Sequence, residues 1–113
     1  MRRFEIVSVD LNPTLGAEMN KVRPCLIISP DEMNAFLKTV MIAPLTSVER
    51  NLPTRVLVKA NSTNGLKNDS YVVLDQIKTV DKSRIAQTPI GVLGQAGQRQ
   101  VSSILCQMFA IEE

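Results

Sequence analysis

Cys25-Leu-Ile-Ile-Ser-Pro-Asp-Glu-Met-Asn-Ala-Phe-Leu-Lys-Thr-Val-Met-Ile-Ala-Pro-Leu45 holds two apolar runs divided by a short polar insert. The runs, Cys25 to Ser29 and Thr39 to Leu45, are continuously apolar at their centres and read as buried strands. Between them, Ser29 stands as a cap, Pro30 at a first helical position and Asp31 and Glu32 in the first turn, which predicts a short helix reaching Phe36. On the N-terminal side, Phe4-Glu-Ile-Val-Ser-Val-Asp10 is a strand whose apolar phase switches between Ile6 and Val7. Residues 11–22 then form a long loop with Asn12-Pro13 and Gly16 as turn formers, and unstructured loops of about a dozen residues tend to be functional. On the C-terminal side, Thr54 to Lys59 alternates as a half-exposed strand. Gly65 to Ser70 is a turn, and Ser70 to Val80 is one long strand or two with a kink. Asp81 to Arg84 adds a helical turn. Val101, Ile104, Leu105 and Met108 recur at helical spacing, with Gln98, Arg99, Ser102 and Ser103 on the opposite face. About five strands, a short helix and a terminal helix predict a mainly β, small mixed barrel with helices on its outside.

The chain has 113 residues, enough for one domain, and residues 1–113 read as a single unit without linker or repeat. Hydrophobic residues make up 44% and charged residues 21%, which fits a packed core and argues against disorder. The formal charge of +2 selects neither a nucleic acid nor a small molecule as partner. Phe4, Phe36, Tyr71 and Phe109 are the only aromatics, too few and too scattered for a base-stacking platform. There is no histidine, which excludes Ser-His-Asp triads, paired-histidine acid–base catalysis and imidazole metal sites. The carboxylates are scattered, so no metal site and no cofactor is expected. Cys25 and Cys106 sit in apolar surroundings and read as small buried hydrophobes. Arg23, two residues before Cys25, leaves a reactive thiolate as the other reading. No signal peptide and no membrane-spanning run is visible, so the expected compartment is the cytoplasm, without membrane contact.

Several short blocks carry chemistry together: Asn12-Pro-Thr-Leu-Gly-Ala-Glu18, Val22-Arg-Pro24, Pro44-Leu-Thr-Ser47, Gly65-Leu-Lys-Asn-Asp-Ser70 and Leu74-Asp-Gln76. Their order, spacing and content resemble the MazF/PemK family of toxin–antitoxin ribonucleases, over most of the chain from about Glu5 to Arg84. The resemblance implies an SH3-like barrel of the MazF/CcdB type with a C-terminal helix. It also implies a type II toxin, an mRNA interferase that cuts single-stranded RNA at specific sequences without metal. Members form homodimers and are neutralised by a cognate antitoxin protein.

From the residues alone, Arg23 is either a phosphate-gripping guanidinium or a charge that protects a strand edge, and Thr46 is either a working hydroxyl or a turn former. The resemblance implies that Arg23 contacts the scissile phosphate and that Thr46 is the catalytic threonine, with Ser47 supporting the phosphate or the turn. It places Glu18, Lys21, Asp75 and Gln76 along the RNA groove; solvated acid and structural carboxylate are the other readings of Glu18 and Asp75. The chain departs from the family pattern at Met19, Lys21 and Asn68, where Gln, Gly and Gly are usual. Val73 stands where one branch has an Arg paired with the Asp as acid and base, so that scheme does not carry over. Without imidazole, the implied reaction is attack by the adjacent 2′-oxygen, giving a 2′,3′-cyclic phosphate and a 5′-hydroxyl. The rival readings are a gyrase-binding toxin of the CcdB type and a non-catalytic barrel that binds RNA or protein.

Overall fold

Three apolar strands come together at the centre of the computed structural model, which describes residues 1–111. They are β1 (Glu5–Asp10), β2 (Val22–Ile27) and β3 (Thr39–Thr46). The strands β4 (Arg55–Val58), β5 (Ser70–Val73), β6 (Lys78–Asp81) and β7 (Gly91–Val92) complete a seven-stranded sheet among the described residues. Its order is β4-β5-β3-β2-β1-β7, with β6 pairing β3 off that path. The helices are α1 (Asp31–Phe36) and the terminal α2 (Gln95–Phe109). This is the mainly β barrel with a C-terminal helix that the sequence predicts, with the short β7 in addition.

The phase switch in β1 has a simple cause: both faces of the central strands are buried. Ile6, Leu26, Ala43 and Leu45 belong to one core cluster with Val56, Val72, Leu74 and Val101. The intervening residues Val7, Val9, Cys25, Ile27, Val40 and Ile42 belong to a second cluster, closed by Leu11, Val80 and Ile85. Period-two alternation therefore sorts residues between two cores instead of between core and water. β4 is the contrasting case, with Val56 and Val58 buried and Leu57 exposed, as its alternation predicts.

The stretch from Ser70 to Val80 breaks at a single 3-10 turn, Leu74–Gln76. β6 pairs residues Thr39 to Ile42 of β3, and β5 pairs Leu45 and Thr46. Ala43 and Pro44 take no partner on that edge, and the turn that carries Asp75 and Gln76 stands there. Ser29 does not cap α1, which starts from Pro30 without a side-chain cap. Instead, the Ser29 hydroxyl donates to Asn34 Oδ1 at 2.5 Å and accepts from the Met41 amide at 3.0 Å, tying α1 to β3. On α2, Val101, Ile104 and Leu105 pack on the barrel, whereas Met108 is 37% exposed and lies outside the core. Cys25 is buried but Cys106 is exposed, which corrects half of the cysteine reading.

Leu26 has no exposed surface and lies between β1 and β3. Leu26→Ala should lose about 2–5 kcal/mol of unfolding free energy in urea titrations. Phe36→Ala, at a side chain 86% exposed, should stay within about 0.5 kcal/mol of the parent.

Candidate active site

Arg23 follows the loop of residues 11–22 and enters β2, while Thr46 ends β3. Together with Pro24, Ser47, Leu66, Lys67, Asn68 and Ser70 they line a groove of about 590 Å³. The Arg23 guanidinium donates from Nε to the Asn20 carbonyl at 2.8 Å and from Nη1 to the Leu45 carbonyl at 3.4 Å. No carboxylate pairs with it among the described residues. Its remaining donors are available to an anion, and two carbonyls fix the plane of the fork. Thr46 Oγ1 accepts the Val48 amide at 3.2 Å, which closes the turn and leaves the hydroxyl proton for another acceptor. Ser47 is exposed beside it.

The far wall of this groove is held by backbone geometry. Gly65 has φ +68, and a Cβ there would meet the Ile90 carbonyl oxygen at 2.1 Å, so no side chain fits. Buried Asn64 braces the same loop: its Oδ1 accepts the Asn61 and Leu66 amides, and its Nδ2 donates to the Lys59 carbonyl. Asn68 does not occupy a left-handed conformation, and the left-handed residue of this turn is Gly65.

Glu18, Asp75 and Gln76 line a second hollow of about 510 Å³, with Met19, Pro44 and Lys78. Gln76 clasps the long loop: its Oε1 accepts the Met19 amide at 2.8 Å and its Nε2 donates to the Ala17 carbonyl at 3.5 Å. The loop ends are joined by the Leu11 amide donating to the Lys21 carbonyl at 3.1 Å. Lys21 lines neither hollow, and it holds a positive φ of 69, which accounts for the family preference for glycine there. Glu18 lies 3.8 Å from Lys78 Nζ in an exposed pair.

Asp75 is already engaged. Its Oδ1 accepts from Thr54 Oγ1 at 2.8 Å and from Arg55 Nε at 2.9 Å, and its Oδ2 accepts from Arg55 Nη2 at 3.2 Å. The Arg55 hydrogen bonds hold its carboxyl below the usual carboxylate range. Arg55, the partner that engages this candidate site residue, is what sequence reasoning passed over; its signal was a charge within an alternating strand. Burial pushes the Cys25 thiol up to about 12 despite the nearby Arg23, which removes the reactive-thiolate reading. Among the described residues, no three His, Cys, Asp or Glu side chains gather where they could hold a metal ion.

A family model described as PemK-like, MazF-like toxin of type II toxin-antitoxin system matches residues 2–109. The chain belongs to this family. It is 37% identical over 87 residues to Endoribonuclease EndoA of Bacillus subtilis, covering 75% of this chain and 74% of that one. Toxin MazF-mt6 of Mycobacterium tuberculosis superposes with a TM-score of 0.78 at 26% identity, covering 96% of this chain and 99% of that one. A mycobacterial endoribonuclease solved with its cognate antitoxin shares the fold, with a TM-score of 0.79 at 23% identity and 100% and 98% coverage. In this PemK/MazF-like chain, the blocks that carry the resemblance thus fall on two hollows. Arg23, Thr46 and Ser47 meet in one, and Glu18, Asp75 and Gln76 in the other.

The fork on Asp75 has a pH signature. Because its folded pKa is depressed, the carboxylate contributes stability that is fully present well above the unfolded value of 3.8 and lost as pH falls through the lower folded value. The stability gap between the parent and Asp75→Asn, followed by urea unfolding, should therefore be full at neutral pH and shrink in acid below pH 3.8.

Proposed function

We infer that this chain is a toxin endoribonuclease that cuts single-stranded RNA in the groove between Arg23 and Thr46. The observation that carries the reading is that groove: a guanidinium oriented by two carbonyls, with no acidic partner among the described residues, lines it together with a hydroxyl whose oxygen accepts an amide and whose proton is left to donate. In the reaction, the 2′-oxygen attacks the adjacent phosphorus, the bond to the 5′-oxygen breaks, and charge builds on the phosphate oxygens. Arg23 and Thr46 donate to those oxygens, and preorganised donors of this kind stabilise the transition state more than the ground state. The 2′-hydroxyl loses its proton and the departing 5′-oxygen gains one. The products are a 2′,3′-cyclic phosphate and a 5′-hydroxyl. RNA reaching from this groove to the second hollow would meet Ser47 in the one and Glu18 and Gln76 in the other, with Asp75 framing the latter.

The family description and the antitoxin-bound mycobacterial relative support a cognate antitoxin as the natural restraint. The working unit is proposed as a cytoplasmic homodimer, and exposed Met108 and Phe109 at the end of α2 offer apolar surface for assembly. No helix among the described residues is long and apolar enough to cross a membrane. A gyrase-binding toxin would have no use for the Arg23–Thr46 pair, so that pair favours RNA.

Arg23→Ala and Thr46→Ala should each lower cleavage of a long RNA by at least ~10²-fold, the scale for losing one oriented donor. Circular dichroism should show both variants folded; near-parental turnover in either one would mean that its side chain does not stabilise the phosphate. Excess EDTA should leave cleavage intact, and end-labelling should find 5′-hydroxyl termini. Products bearing 5′-phosphates would point to a metal-activated water instead.

A further inference from the structure

The Arg55 side chain is 8% exposed, on the strand register opposite Val73, and its fork closes on Asp75. A guanidinium this deep is costly to desolvate and stays only if it is well paired. Asp75 belongs to the Leu74–Gln76 turn, whose start is fixed by the Leu74 amide donating to the Thr54 carbonyl at 3.0 Å. The next residue, Gln76, holds the loop at the Ala17 carbonyl and the Met19 amide. The residue after Met19 is Asn20, whose carbonyl accepts Arg23 Nε. Hydrogen bonds of 2.8–3.5 Å and the intervening backbone thus link a half-buried arginine on β4 to the arginine of the groove.

We propose that Arg55 is a positioning residue for Arg23: its fork on Asp75 fixes the turn whose Gln76 amide holds residues 17–20, and these aim the Arg23 guanidinium. The inference rests on the reading that Arg23 acts on the scissile phosphate. Arg55 itself does not touch substrate in this scheme. A lysine in its place keeps the charge but cannot make two parallel bonds to one carboxylate. A purely structural ion pair would affect unfolding and leave the direction of Arg23 alone.

The test compares the parent with Arg55→Gln, Gln76→Ala, the double variant and Arg55→Lys. Kinetics on a long RNA are read together with nuclear magnetic resonance of the Arg23 Nε–H and the Met19 amide. Each single substitution should lower kcat by about tenfold with a smaller change in KM, because the disturbed group acts in the transition state. The double variant should be no worse than either single one, since both cut the same chain of contacts. Exchange at the Arg23 Nε–H and the Met19 amide should quicken in both single variants while amides of β2 and β3 keep their protection. Arg55→Lys should not restore kcat.

Parental kcat with an unmoved Arg23 Nε–H signal in Arg55→Gln would overturn the proposal, and so would full rescue by lysine or additive losses in the double variant. Should Arg55→Gln not fold, Gln76→Ala interrupts the same chain from a half-buried position, and a parental kcat and Arg23 signal there overturn the proposal equally. A parent that cuts no RNA would defeat the ribonuclease reading instead. The resonance measurements would then still decide whether Arg55 orients Arg23.

Discussion

Burial of β1, β2 and β3 on both faces is the constraint that organises this molecule. A sheet with one wet face tolerates polar residues at every second position. Here, Leu26 and Ile27 are neighbours in sequence, and each is fully buried in a different cluster. The polar work of the protein is thereby displaced to the ends of these strands and to the loops beyond them. Arg23 enters β2 just before its apolar run begins, and Thr46 stands where that of β3 stops. The groove lies at this boundary, so a rigid floor carries side chains that still reach solvent.

A second consequence concerns the edge of β3. Its pairing is shared by β6 and β5, and the intervening turn projects Asp75 and Gln76 beside Pro44. The two hollows therefore border successive residues of one strand, Pro44 facing one and Leu45 the other. Electrostatics follow the same division: among the described residues Arg23 bonds two carbonyls and no carboxylate, whereas Arg55 is neutralised by Asp75. One guanidinium is left for a ligand and the other is consumed by the scaffold.

Much of this was legible in the sequence, for reasons that differ by element. The continuous apolar runs announced buried strands, and the alternation from Arg55 to Lys59 announced a half-exposed one. The i, i+3, i+4 spacing around Val101 announced α2. The phase switch in β1 was visible but its meaning was not, because two cores cannot be told from one by periodicity along a single strand. Ser29 carried a capping signature, but tertiary contacts with Asn34 and Met41 took its hydroxyl elsewhere. β7 was too short to leave a pattern. Among site residues, the motif blocks led to Arg23 and Thr46, while Arg55 escaped notice because its partner lies on another element. No local pattern encodes a cross-strand fork.

The clasp on the long loop bears on how such a protein diversifies. Gln76 grips the main-chain amide of Met19 and the main-chain carbonyl of Ala17. Any amino acid except proline supplies both groups. Part of the loop's anchoring is therefore independent of the side chains at positions 17–19, with Met19 packing on the second core cluster and Glu18 pairing with Lys78 as further contacts. Substitutions there can exchange one set of contacts for another while the backbone path, and the Asn20 carbonyl beside Arg23, stay where they are. The outward chemistry of the loop can drift across generations of this chain without undoing its backbone path.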